Sequence, residues 1–163
     1  VEIGSGGGFP SIPLKIVRDD LKFTLIESTG KKCEFLKKVV EKLGFVGVKV
    51  LNIRAEEGAH NENLREKFDI ATARAVAKLN TLCEYCLPFV KVGGSFIAYK
   101  SECEAELDES LKAIEVLGGK IEKIIRLDLP ENCGKRSAIV IKKVCATPLK
   151  YPRGRGLERK KPL

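Results

Sequence analysis

The sequence predicts an α/β fold, a mostly parallel seven-stranded sheet with helices on both faces, and three observations carry that expectation. The chain opens on Val1-Glu2-Ile3 running into Gly4-Ser5-Gly6-Gly7-Gly8-Phe9, the end of a buried strand followed by a glycine-packed turn. Strand-like apolar runs then alternate with helical periodicity, the pattern of parallel strands joined by helical crossovers. Two strand-like runs joined by a short turn close the chain, which lets the last strand enter antiparallel.

Each element follows from its own residues. After the glycine turn, Pro10 and Pro13 fall where prolines are tolerated, in the first turn of a short helix running towards Arg18. Phe23 to Glu27 is the second strand. Cys33, Leu36, Val40 and Leu43 recur every three or four residues and mark a helix over Lys31 to Leu43, with Gly44 placed to end it in the left-handed conformation. Val48 to Ile53 is the third strand, and Arg54-Ala55-Glu56-Glu57 with the polar stretch to Lys67 is loop and short helix. Phe68 to Ala73 is the fourth strand. Ala75 to Phe89 is expected to be one helix closed by Pro88, and Val92-Gly93-Gly94-Ser95 a turn into a fifth strand, Phe96 to Tyr99. Ser101 with Glu104 forms a capping box for a helix that presents Leu107, Leu111 and Ile114 on one face and ends at Gly118-Gly119. Lys120 to Leu127 and Ser137 to Val144 are the closing strands, joined by a turn over Pro130 to Arg136.

In such a sheet, ligands bind beyond the carboxyl ends of the strands, near the reversal of strand order. Four strand ends carry informative residues: Gly4 to Phe9, Glu27, Ala55-Glu56 and Thr72-Ala73-Arg74. Glycines at 4, 6 and 8 remove the β-carbons that would hold a nucleotide-like ligand off the backbone. A dinucleotide fingerprint needs glycine at the first, third and sixth positions, and the sixth here is Phe9, which argues against NAD. The acidic-x-Gly-x-Gly-x-Gly pattern led by Glu2 looks instead like the first motif of class I S-adenosylmethionine methyltransferases, of Rossmann-like fold. Glu27, about twenty residues on, is placed to meet ribose hydroxyls; its plain alternative is a cap on the following helix.

With 163 residues and 44% apolar content, one domain with a real core is expected. Residues 1–147 form the catalytic body, taken to lack an amino-terminal part, and 148–163 a basic carboxyl-terminal tail. Net charge is +8. From Lys142 to Leu163 there are eight basic residues against Glu158 alone, so nucleic acid is the natural partner, a solvated tail being the alternative. No eighteen-residue apolar run exists to span a membrane, and the cytoplasm is expected. The six cysteines are read as reduced. Cys83-x-x-Cys86 lacks a second pair to complete a zinc site, and His60 is far away in sequence, so no metal is expected.

Taken together, Glu2-x-Gly-Ser-Gly-x-Gly-Phe-Pro-x-Ile-Pro-Leu, Glu27 with Lys31-Lys32-x-x-Phe35-Leu36, Arg54-Ala55-Glu56-Glu57, Phe68-Asp69-x-x-Thr72-Ala73-Arg74-Ala75 and Tyr151-Pro152-Arg153 resemble the bacterial RsmG family, the 16S ribosomal RNA guanine-N7 methyltransferases also called glucose-inhibited division protein B. The resemblance covers essentially the whole chain. It implies S-adenosylmethionine as cofactor and the 16S rRNA of the small ribosomal subunit as partner. It implies cofactor contacts from Gly4, Phe9, Ala55, Glu56 and Arg74, with Arg74 near the methyl-transfer site, beside the contacts expected above from Gly6, Gly8 and Glu27. Ordinary apolar packing is the alternative for Phe9 and Ala55, a helix cap for Glu56, and a surface ion pair with Glu84 or another acid for Arg74. The sequence departs from the family pattern at Glu2 for the usual Asp, at Ser11 for the usual Gly, and at Gly154 and Glu158 for a common Lys and Pro.

RNA contacts are expected from Lys100, Arg153, Arg155, Arg159, Lys160 and Lys161, with solvent exposure the alternative for Lys100. The fourth strand ends in Thr72-Ala73-Arg74-Ala75 and not in the Asn/Asp-Pro-Pro-aromatic loop often used to hold an exocyclic amine, which fits a ring nitrogen as the acceptor. The alternatives are methylation of another RNA or small-molecule substrate, and a non-catalytic cofactor- or RNA-binding module. On oligomeric state the sequence is silent, a monomer being the expectation.

Overall fold

The computed structural model describes residues 1–101, 104–132 and 134–163, with the side chains of Glu104 and Asn132 excepted. Seven strands form one sheet in the order β3-β2-β1-β4-β5-β7-β6. β1 (Glu2–Ile3), β2 (Phe23–Ile26), β3 (Val48–Leu51), β4 (Phe68–Arg74) and β5 (Val90–Lys100) are parallel. β7 (Lys135–Lys143) enters antiparallel between β5 and β6 (Gly119–Asp128). Strand order reverses at β1, which pairs with β2 on one side and β4 on the other.

The helices are α1 (Ser11–Val17), α2 (Gly30–Lys42), α3 (Ala55–Gly58), α4 (Leu79–Cys86), α5 (Glu104–Val116) and α6 (Leu157–Lys160). Successive strand residues point to opposite faces, and on β2 Leu25 packs with Ile12 of α1 and Leu36 of α2 while Ile26 joins the larger core. That larger core holds Leu79, Leu82, Cys83 and Cys86 of α4 with Ala113 and Ile114 of α5. The sheet is therefore covered on both faces, as the alternation of elements requires.

Four local expectations are corrected. The helix expected from Ala75 starts at Leu79, because β4 runs on to Arg74 and Ala75 takes a left-handed φ of +56°. Glu106 accepts the Leu79 N–H at 2.7 Å and fixes that start. Val92-Gly93-Gly94-Ser95 is a bulge inside β5: pairing jumps from Phe68–Val90 to Ile70–Ser95, and a Cβ on Gly94 would lie 2.5 Å from the Asp69 carbonyl. Leu111 is exposed, α5 burying Ser110, Ala113 and Ile114 instead, with Leu117 buried just beyond its end. Leu43 also lies outside the core, just beyond the end of α2 at Lys42, whereas Gly44 takes the expected left-handed φ of +61°. The expected Ser101–Glu104 capping box, Cys103 and Cys133 lie outside the described side chains.

Residues 145–163 lie against the body. Arg65 donates to the carbonyls of Thr147 (2.8 Å), Pro148 (3.2 Å) and Tyr151 (2.9 Å), and to its own neighbour Ala59 (3.0 Å). Lys143, 1% exposed, donates to Glu66, Thr147, Leu87 O and Val90 O. Burial pushes the Lys143 ammonium below its usual range, against Glu66. A buried ammonium is tolerated only when its protons are taken up in this way.

Candidate active site

The glycine loop crosses the carboxyl end of β1. Gly4, Gly6 and Gly8 take φ of +69°, +53° and +86°, and two of them are sterically required as well: a Cβ on Gly4 would lie 2.7 Å from Val76 Cγ2, and one on Gly8 2.4 Å from Ile12 Cγ1. The N–H groups of Gly4 and Ser5 donate to the Ile26 carbonyl, and Gly8 N–H to Ser5 O, which folds the loop back on β2.

Two carboxylates hold the loop from beneath. Glu2, 1% exposed, accepts the Ser11 N–H at 3.2 Å, and burial pushes its carboxyl above the usual range against that bond. Glu27 accepts the N–H of Gly6 at 2.9 Å and of Thr29 at 2.8 Å. Burial opposes its ionisation, yet the N–H groups of Thr29 and Gly6 bring the carboxyl below the usual range. Glu27 thus ties the loop to the start of α2.

Beside the loop, where strand order reverses, opens a cleft of about 330 Å³. Its walls come from the carboxyl ends of four strands: Ile3 and Gly4 after β1, Ile26 and Ser28 after β2, Ile53, Arg54, Ala55 and Glu56 after β3, and Val76 after β4. Tyr85 of α4, Gly156 and Arg159 complete it. Burial pushes the Tyr85 phenol up, against the neighbouring Arg159. Apolar walls with a few converging hydroxyl, carboxylate and guanidinium groups suit an adenosine-like ligand that carries charge, and the size lies within the usual range for small-ligand clefts. S-adenosylmethionine fits that description, and Gly4, which has no Cβ, brings bare backbone to the cleft wall.

Of the residues expected from the sequence, Gly4, Ala55 and Glu56 meet in this cleft, joined by Arg159, for which an RNA contact was expected. Gly6, Gly8, Phe9, Glu27 and Arg74 stand outside its wall. Phe9 is exposed, with the Arg74 guanidinium 5.5 Å from its ring centroid. The alternative pairing of Arg74 with Glu84 is not made, since Glu84 is taken by Arg153. Lys100 is neither exposed nor free: it donates to Ala77 O at 2.8 Å and to Glu106 at 2.7 Å. Ser28, Ile53, Val76 and Tyr85 were missed, although Ser28 and Val76 each stand within two residues of a named strand end. Cys83 and Cys86 are fully buried, and burial pushes both thiols well up, which keeps them protonated. Among the described residues no group of three or more His, Cys, Asp or Glu is placed to hold a metal, and no helix is long and apolar enough to cross a membrane.

A family model described as rRNA small subunit methyltransferase G, GidB, matches residues 1–133. The chain belongs to the GidB family. It is 51% identical over 163 residues to the Ribosomal RNA small subunit methyltransferase G of Lactobacillus acidophilus, covering 99% of this chain and 68% of that protein. Likeness to the protein of the same name from Acetivibrio thermocellus is 50% over 163 residues, covering 100% and 67%. Among solved structures, an rRNA methylase from Streptococcus thermophilus superposes with a TM-score of 0.62 at 15% identity, over 88% of this chain and 85% of that one. An M. jannaschii protein solved in complex with AdoMet superposes at 0.67 and 15% identity, over 88% and 68%. The GidB chain thus shares its fold with class I methyltransferases.

Proposed function

We propose that this GidB-family protein transfers the methyl group of S-adenosylmethionine to N7 of a guanine in the 16S rRNA of the small ribosomal subunit, and so works in the cytoplasm. The observation that carries the reading is the cleft at the topological switch point, in a chain about half identical along its whole length to proteins named as small-subunit rRNA methyltransferases. Gly4, Ala55 and Glu56 would hold the cofactor directly, while Glu27 acts through the loop whose Gly6 N–H it holds. Bound there, S-adenosylmethionine supplies an electrophilic methyl group on a sulfonium.

Guanine N7 offers an in-plane lone pair and carries no proton, so no side chain has to act as base. What the protein must supply is alignment at near-attack distance and management of charge, since the methylated guanine is cationic. Arg74 ends β4 beside the glycine loop with its guanidinium over Phe9. A guanidinium is a fixed cation with five donors and cannot take up a proton, so Arg74 orients the guanine or an adjoining phosphate. Arg155, Lys160 and Lys161 are exposed and have no acidic partner within 4 Å among the described residues, which suits them to RNA phosphates together with Arg159.

The test uses the complete reading frame, labelled S-adenosylmethionine and small subunits from cells lacking the modification, with the methylated base mapped by N7-sensitive strand cleavage. One cleavage at a single guanine of 16S rRNA is expected. Label on another base or atom would overturn the substrate reading, and no transfer would overturn the enzymatic one.

A further inference from the structure

We propose that the segment Thr147–Lys161 is a strap forming the outer wall of the cofactor cleft, and that Glu84, through Arg153, is a positioning residue for cofactor retention. The inference rests on the cofactor reading above. Arg153 was expected at the RNA, but Glu84, fully buried on α4, pairs with it. The carboxylate accepts the Arg153 backbone N–H at 2.8 Å, Nε at 2.9 Å and Nη2 at 2.7 Å. The residue after Glu84 is Tyr85, itself in the cleft wall. One helix position therefore fixes the strap and the next lines the cleft.

From Arg153 the chain makes a turn that only a fixed anchor explains. Gly154, Arg155 and Gly156 take φ of +73°, +56° and +73° in succession, and Arg155 is a non-glycine residue in the left-handed region. Such a conformation persists where its surroundings determine it. On the far side Glu158 is fully buried: its Oε1 accepts the Gly154 N–H, its carbonyl accepts the Thr81 hydroxyl at 2.8 Å, and its Oε2 has no partner among the described residues. Between these two anchors stands Gly156, and one residue past Glu158 stands Arg159, whose Nη2 lies 3.4 Å from the carbonyl of the wall residue Val76. Apolar burial holds the strap at Tyr151, which joins the main core, whereas Leu149 and Leu157 on either side are exposed. Polar anchors specify where it lies. A hydrogen-bonded buried ion pair is weak evidence for stability, but it selects one geometry.

The full-length protein should be titrated with S-adenosylmethionine in wild type, Glu84→Gln, Arg159→Ala and the double variant. Glu84→Gln is expected to weaken binding about tenfold and raise the cofactor KM while leaving kcat at saturating cofactor unchanged, and the double variant to bind no worse than Arg159→Ala. Arg153→Lys replaces a two-point guanidinium contact by a point charge while keeping the ion pair, and should reproduce the loss if Glu84→Gln does not fold. Unchanged affinity in a folded Glu84→Gln or Arg153→Lys protein, or additive losses in the cycle, would overturn the proposal. Wild-type protein that binds no S-adenosylmethionine would instead remove the cofactor reading on which it stands.

Discussion

Gly8→Ala and Gly6→Ala place the same methyl group on the same loop with unequal consequences. At Gly8 two costs combine: φ is +86°, and the new Cβ would sit 2.4 Å from Ile12 Cγ1, 3.1 Å from Leu36 Cδ2 and 3.4 Å from Ile12 Cβ. Ile12 and Leu36 are buried core residues and cannot swing away. The left-handed conformation costs a non-glycine residue roughly 1–2 kcal/mol, and overpacking a core costs roughly 1–3 kcal/mol. Gly8→Ala should therefore lose about 2–5 kcal/mol, a fall in Tm of roughly 4–20 °C for a chain of this size. At Gly6 the φ of +53° leaves only the conformational term, because the nearest atom is the Gly4 carbonyl at 3.8 Å. Urea denaturation of the two variants at neutral pH measures the difference. If Gly8→Ala proves as stable as Gly6→Ala, the loop does not pack on α1 and α2 in the manner described.

Arg74→Ala should fold normally, since the side chain is exposed, and should bind cofactor, since it stands outside the cleft wall. Methyl transfer should fall roughly 100-fold through lost alignment, and normal turnover would remove Arg74 from the reaction. Glu27→Gln should cost roughly 1–3 kcal/mol at neutral pH by weakening two charge-assisted bonds. Because the folded carboxyl titrates below its unfolded value of about 4.3, its contribution is complete above that value and lost as pH falls through the folded one. The gap between wild type and Glu27→Gln should thus close in acid melts, and a constant gap down to the lowest pH would contradict the assignment. Neutralising Arg155, Lys160 and Lys161 together should reduce the slope of log affinity for rRNA against log salt by roughly 2–3, whereas an unchanged slope would move the RNA elsewhere.

What the sequence made legible follows the range of the interactions involved. The glycine loop, the strand ends carrying Ala55 and Glu56, and the closing antiparallel strand are written in neighbouring residues, and they stand where spacing puts them. Arg153 and Lys100 look alike in sequence, as cations near a basic segment or a strand end. Their partners are carboxylates on other elements, the half-buried Glu106 for Lys100 and the buried Glu84, 69 positions from Arg153, and no local pattern announces such a pairing. The β5 bulge is invisible for a related reason, since it is defined by where Phe68 and Ile70 pair on the neighbouring strand. Arg159 was singled out for its charge, but its place in the cleft depends on how the chain returns after β7.

That return has a consequence for the order in which the protein is made. Running antiparallel, β7 delivers the chain at Lys143 to the end of the sheet away from the cleft, and the following residues must climb past Arg65 and Glu84 to reach it. Synthesis proceeds from the amino terminus, and a domain folds as a unit. The wall bearing Arg159 can therefore close only after β7 has inserted between two strands already translated. The cleft is thus finished only once the strands β5, β7 and β6 stand side by side.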